Sequence, residues 1–439
     1  MTSSANPAIP EPHDSIDALD SRRGFLTRHA IVAVSVALIA IGIVAVASAT
    51  ASLDQSLTAS LRWGEPLGRQ LVFAVAGVIV LLAASRLSPW WLRRRRLHMP
   101  GVLLLAAVTV VALCLPLIPG LASEQRGSAR WLRIPLGSSF INIQPSEFAK
   151  FTLVVFLAWW LTRPWVNLRS FTRGYLPVLV SLAAFVGLVG IEDLGTAALI
   201  GMVGGLMVIT AGCHWPHVVG TGLLGLGGLV GLFLLKDYRQ DRLTAFLNPE
   251  SDLAGVGYQP FQSLKTIASG GWSGTGLGAG IQKYGYLPES HTDFIFALIC
   301  EESGVVGAML VMGRYVCLIW LGLRIMRYAT GGFERMLAFG FTSMIGWQAV
   351  MNMAVVVVLA PTTGISLPLI SAGGSGLLTY SLVLGLLGGL AYESRFAPGA
   401  CEPALESDSP ISYGSRPLPV RRPADGRSSQ GFGAEGRTA

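Results

Sequence analysis

The sequence is short of charge. Only 13% of its 439 residues are Asp, Glu, Lys or Arg, where an ordinary soluble domain carries about 25%. A soluble fold of this length would lack the polar surface it needs. Cysteine is scarce too. Cys114, Cys213, Cys300, Cys317 and Cys401 show no CxxC spacing, which leaves neither a disulfide framework nor a thiolate zinc site. The six histidines are scattered, and only His214 and His217 are close, in a short turn with Trp215 and Pro216 that reads as interfacial. The first 21 residues hold no apolar run, which excludes a signal-peptide core there. The net charge is +7, but the cations sit between apolar blocks. Positive-inside topology and anionic lipid account for them, and no nucleic-acid partner is expected.

What is abundant is apolar sequence, 52% of the chain. It comes in blocks near 29–50, 69–86, 99–120, 145–161, 175–191, 195–212, 216–235, 293–323, 335–360 and 373–392. Crossing a bilayer takes about 20 apolar residues. The expectation is an all-α integral membrane protein of about ten transmembrane helices. Ten spans put both termini on one side. Arg22, Arg23 and Arg28, then Arg93 to Arg96, then Arg163, Arg169 and Arg173, then Arg324, Arg327 and Arg335 all fall on that side in the alternation, which marks it as cytoplasmic. The location is therefore read as the inner (plasma) membrane. Residues 1–28 and 396–439 are polar and read as disordered cytoplasmic tails, flanking a membrane domain at 29–395.

Two loops on the opposite, extracytoplasmic side stand out, at about 121–143 and, between helices 7 and 8, about 236–292. Both carry cations against the positive-inside bias: Arg126, Arg130 and Arg133 in the first, and Lys236, Arg239, Arg242, Lys265 and Lys283 in the second. An anionic ligand explains them better than solubility does. The fourth block opens Gln144-Pro145-Ser146-Glu147-Phe148-Ala149-Lys150. Pro145 suits a first helical position and Glu147 the positive end of the helix dipole. Glu147 and Lys150 share a face, either as a locked ion pair or as the lining of a wet cavity. Trp131, taken alone, reads as an interfacial anchor. Glu192-Asp193 is a short acidic turn close in topology to Glu147.

In the long loop, Phe261, Leu264 and Ile267 recur at helical spacing, as in a helix lying in the interface. The run Gly270 to Gly280 has six glycines, backbone freedom for a turn or a phosphate cradle. Asp293 follows Ser290, His291 and Thr292 at the start of the eighth helix. It is either a cap or, at the mouth of the cavity, a general base.

Together these segments resemble the SEDS family, the FtsW, RodA and SpoVE proteins of bacterial division, elongation and sporulation. The stretches that carry the resemblance are Gly127 to Trp131, Gln144 to Lys150, Asp193 to Thr196, Gly257 to Leu264, Leu287 to Glu302, and Pro361 to Ser375, in family order. The stretches Gly278 to Lys283 and Thr363 to Gly374 look closer to FtsW. Four departures stand out: Ala372 for a usual Tyr, Glu192 for Pro, Cys300 for Gly and Ser303 for Leu.

The resemblance implies a peptidoglycan glycosyltransferase that polymerises lipid II on the outer face of the membrane and releases undecaprenyl pyrophosphate. It implies Asp293 as the catalytic residue. Trp131, Glu147 and Lys150 match family site residues, and Arg130, Lys265, Lys283, His291 and Asp193 complete the expected substrate site. Lys150 leads the candidates for stabilising the leaving diphosphate. Asp193 and Glu147 leave room for a divalent cation such as Mg or Mn without establishing one. The expected partner is a class B penicillin-binding protein, the transpeptidase. Two rival readings stay open: a lipid II flippase, which would need access from both sides, and a non-catalytic division scaffold, which would have no need of Asp293.

Overall fold

The computed structural model describes residues 12–50, 62, 65–87, 99–118, 122–125, 128–136, 139–234, 240, 242, 246–247, 255, 257–281 and 286–393. Lys283, Arg93 to Arg96 and the expected C-terminal tail lie outside them.

Helix α1 runs Pro12–Thr50, α2 Pro66–Arg86 and α3 Met99–Cys114. A three-stranded sheet follows: β1 Ala122–Gln125, β2 Ser128–Leu136 and β3 Ser139–Ile143. Then come α4 Pro145–Leu161, α5 Leu176–Gly190, α6 Leu194–Thr210, α7 Trp215–Leu234, α8 Tyr258–Gly270, α9 Ile295–Tyr328, α10 Gly332–Val356 and α11 Gly374–Glu393. Six of these, α1, α2, α5 with the turn before it, α9, α10 and α11, are long and apolar enough to cross a membrane by length and composition, and α3 and α6 are shorter apolar helices. The chain is a helical, multi-pass membrane protein.

Two elements are more regular than the sequence suggests. The helix begins at Pro12, well inside the stretch read as a disordered tail. Proline is tolerated at a helix start, and no further Pro or Gly interrupts the chain until Gly24. The first large loop forms a small sheet. Its strands pair antiparallel in the order β1-β2-β3, with Ser123 opposite Trp131 and Leu132 opposite Ile143. Trp131, Ile134, Phe140, Ile141 and Ile143 supply the strand-favouring residues of β2 and β3.

Helix α4 is the centre of the packing. Only Phe148, Phe151 and Trp160 along its length are not buried. It packs against α3, α6, α10 and α11, and α11 in turn packs on α2 and α1. Pro145 sits at its start, where the missing N–H costs nothing.

Helix α9 is broken at Gly304, whose φ of 63° lies in the left-handed region. The carbonyls that the break frees are taken by the glycine-rich loop after α8. Thr275 N–H donates to Glu301 O (2.9 Å) and Gly276 N–H to Glu302 O (3.0 Å), while Val305 N–H donates to Gly271 O (3.0 Å). Those two loop N–H groups therefore serve the helix, not a phosphate. Glu301 and Glu302 are both buried. Glu301 accepts from Ile281 N–H (2.9 Å), and Glu302 accepts from Ser48 of α1.

Helix α8 forms as expected but seats itself on its small side. Pro260, Ser263, Thr266 and Gly270 are buried, with Ser263 Oγ donating to Val356 O at 2.7 Å, and Leu264 stays exposed.

Candidate active site

A cavity of about 490 Å³ lies where the sheet, the starts of α2, α4 and α6, and the loops at 289–293 and 361–366 converge. Of the residues expected in the site, Arg130, Trp131, Glu147, Asp193, His291 and Asp293 all line it.

Strand β2 delivers Arg130 and Trp131 as neighbours. Arg130 Nη1 donates to Asp193 Oδ2 at 3.2 Å. Asp193 is the cap of α6: its Oδ1 accepts from Thr196 N–H (3.0 Å), and its Oδ2 accepts from the Thr196 hydroxyl (2.9 Å) and Gln144 Nε2 (3.2 Å). A buried carboxylate needs this many donors. Asp193 is thus a structural anchor that fixes the guanidinium of Arg130 at the cavity wall.

Glu147 faces the cavity, but Lys150 does not line it. Lys150 is 2% exposed. Its Nζ lies 2.8 Å from Glu147 Oε2 and donates to Gln348 Oε1 (2.6 Å) and the Tyr380 hydroxyl (3.2 Å). Lys150 thus sits in the bundle behind Glu147 and holds its carboxylate. Gln348 also donates through Nε2 to Ser366 O at 2.9 Å, which ties the Lys150 network to the 361–371 loop.

Asp293 is positioned through its backbone. Asn352, 1% exposed, donates Nδ2 to Asp293 O (2.9 Å) and to Ile365 O (2.8 Å). Ser371 Oγ donates to Thr292 O (2.6 Å) and accepts from Leu367 N–H (2.8 Å), and Ala372 N–H donates to His291 O (2.9 Å). Between the two loops stands Gly364, with φ 71°. A Cβ there would lie 3.4 Å from Arg130 Nη2 and 3.6 Å from Asp293 Oδ2. The guanidinium and the carboxylate therefore face the same small space.

Lys265 sits on the exposed side of α8 and does not line the cavity. Lys283 is outside the described residues. The cavity also holds residues that the sequence did not single out: Arg69 and Gln70 of α2, and Asn142 of β3. Arg242, noted only as a loop cation, lines it as well and donates to Thr362 O at 2.9 Å. Two family departures, Glu192 and Ala372, lie on the wall. Among the described residues no group of three or more His, Cys, Asp or Glu is placed to hold a metal ion.

Residues 28–396 match the cell cycle protein family of FtsW, RodA and SpoVE. A probable peptidoglycan glycosyltransferase FtsW of Trichlorobacter lovleyi is 37% identical over 334 residues, covering 76% of this chain and 85% of the relative. Stage V sporulation protein E of Bacillus subtilis is 38% identical over 370 residues, covering 83% and 97%. A chain from a solved peptidoglycan synthase complex, described as structurally coordinating polymerization and crosslinking, superposes with a TM-score of 0.66 at 28% identity, covering 84% of this chain and 98% of that one. The fold, the ordered motifs and these likenesses agree: the chain belongs to the FtsW/RodA/SpoVE family of cell cycle proteins.

Proposed function

We propose that the chain is a peptidoglycan glycosyltransferase of the cell cycle, polymerising lipid II into glycan strands, and that the cavity is its active site. The observation that carries this reading is the shared corner at Gly364, where the Asp293 carboxylate and the Arg130 guanidinium flank one space. Glycosyl transfer needs a base and a cation in that relation. Gln70, Asn142 and Thr363 on the same wall each keep a buried polar atom with no hydrogen bond. Such atoms suit a ligand rich in hydroxyl groups.

In the reaction, the sugar 4-hydroxyl of one lipid II attacks the anomeric carbon of another. A C–O bond forms as the bond from that carbon to the diphosphate oxygen breaks. Asp293 takes the hydroxyl proton. The electron pair leaves with undecaprenyl pyrophosphate, whose developing charge Arg130 and Arg242 stabilise. Glu147 shapes the polar floor with Lys150 behind it. Trp131 offers its ring to a sugar face.

The cavity end of the bundle faces away from the cytoplasm in this reading, with both termini cytoplasmic. Arg22, Arg23 and Arg28 at the start of the apolar span Arg22–Thr50 within α1 support it through the positive-inside bias. The partner is a class B penicillin-binding protein. Its support is the likeness to a chain from a complex that couples polymerization to crosslinking.

The test compares wild type with Asp293→Asn, each purified with its transpeptidase and given labelled lipid II. Polymer from wild type and none from an equally folded variant is the expected outcome. Equal polymer from both would remove Asp293 as the base. No polymer from either, beside an active control enzyme, would move the reading to a flippase or a scaffold.

A further inference from the structure

The cations of the cavity are not equally occupied. Arg130 is ion-paired to Asp193, Arg242 donates to the Thr362 carbonyl, and Lys150 is bound up with Glu147 behind the wall. Arg69 lines the same cavity from the second turn of α2, and its side chain makes no hydrogen bond, ion pair or ring contact with any described residue. Its neighbour Gln70 also lines the cavity, is 2% exposed, and has an amide nitrogen with no acceptor. A buried amide donor without a partner costs about as much as a lost hydrogen bond, and an uncommitted guanidinium beside it supplies a planar fork suited to phosphate oxygens.

The position of Arg69 on α2 adds a direction. Ala74, Gly77 and Leu81 form the buried face of the helix, while Val72, Val75 and Ile79 are exposed along its other face. At 3.6 residues per turn Arg69 falls on the border between these two faces. A group held there has the polar cavity on one side and an apolar helix surface on the other.

We propose that Arg69 and Gln70 bind the diphosphate of a lipid-linked saccharide, with its isoprenoid chain lying along Val72, Val75 and Ile79. The inference rests on the glycosyltransferase reading for its substrate class. That reaction joins two lipid-linked molecules and so brings two diphosphates to one cavity. The corner at Arg130 and Asp293 serves the one that leaves, and the α2 wall serves the one that stays attached.

Two arms test this on the full-length protein purified with its transpeptidase. The first reads binding without turnover, on protein carrying Asp293→Asn and Arg130→Met so that the leaving-group corner is disabled, titrating lipid II or inorganic pyrophosphate with Arg69 and Gln70 as in wild type, with Arg69→Met and with Gln70→Glu. The expected result is that protein with both residues intact binds the lipid form more tightly than the inorganic form. Each variant is expected to bind the lipid form roughly tenfold more weakly, the scale of one charge-assisted hydrogen bond. The second arm reads the lipid II concentration dependence of polymerisation, where Arg69→Met should raise KM more than it lowers kcat. If Arg69→Met does not fold, Arg69→Lys carries both arms, with an expected loss of a few-fold, because the charge stays and the fork goes. Unchanged binding and KM in the variants, with wild type polymerising, would overturn the α2 subsite and leave the function standing. Arg69-dependent binding, with wild type making no polymer, would do the reverse. Equal binding of inorganic and lipid diphosphate would overturn the isoprenoid track.

Discussion

Asn352 and Asp293 are 59 positions apart in the chain, yet the amide of Asn352 holds the backbone carbonyl of Asp293 at 2.9 Å and, with the same nitrogen, the carbonyl of Ile365 at 2.8 Å. One buried side chain thus sets the spacing between the loop that carries the base and the loop that carries Gly364. Replacing it with Ala leaves two carbonyls without this donor, at a cost of about 1–3 kcal/mol for each unsatisfied group. Asn352→Ala should lower the unfolding temperature in detergent and reduce polymerisation at saturating lipid II. A variant as fast as wild type would show that the spacing does not matter.

Lys150 and Glu147 should behave as one unit. Removing the cation alone leaves a buried carboxylate uncompensated, a loss of about 3–5 kcal/mol. Lys150→Met is therefore expected to be less stable than the double variant Glu147→Gln/Lys150→Met. A thermal-unfolding cycle over the four proteins measures the coupling. Simple addition of the two single effects would dissolve the unit.

Gly364→Ala tests the shared corner. The left-handed backbone costs a non-glycine residue about 1–2 kcal/mol, and the new methyl group would sit between Arg130 and Asp293. Polymerisation should fall by up to about a hundredfold, the scale of a 1 Å misplacement of catalytic groups, while the protein stays folded by size-exclusion elution. Near-normal turnover would mean that the reacting atoms lie elsewhere in the cavity.

Lys265→Ala should change little. The side chain is on the exposed side of α8, and the helix is held by Ser263 and its small buried edge. A kcat/KM within about twofold of wild type is expected, the range of a surface substitution. A tenfold loss would bring α8 into the site.

Much of this was legible in the sequence because membrane helices must satisfy their own backbone. The long apolar blocks therefore announced α1, α2, α9, α10 and α11. Ionisable residues at block ends, Glu147, Asp193 and Asp293, are conspicuous in such a background and do converge on one cavity. Direction was not legible. The spacing of Glu147 and Lys150 puts them on one face, but only the packing shows that the lysine is enclosed by Gln348 of α10 and Tyr380 of α11. The sheet at 122–143 was hidden because short strands between long apolar spans carry a weak signal. Gln348 and Asn352 were missed although an amide pair four residues apart in an apolar helix is itself a signal. Each is nearly fully buried and each binds a backbone carbonyl of the loops around the site.

The break at Gly304 divides a helix that would otherwise be about 51 Å long at 1.5 Å per residue. Bilayer hydrocarbon is only about 30 Å thick. Residues before the break are stitched to the glycine-rich loop and to α1, whereas Val305 to Tyr328 is long enough to span by itself. The glycine-rich loop holds both sides of the break, because Val305 and Val306 N–H donate to Gly271 O and Trp272 O while Glu301 O and Glu302 O accept from Thr275 and Gly276. The loop thus acts as a clasp that fixes where the spanning segment ends and the short segment leading from Asp293 begins.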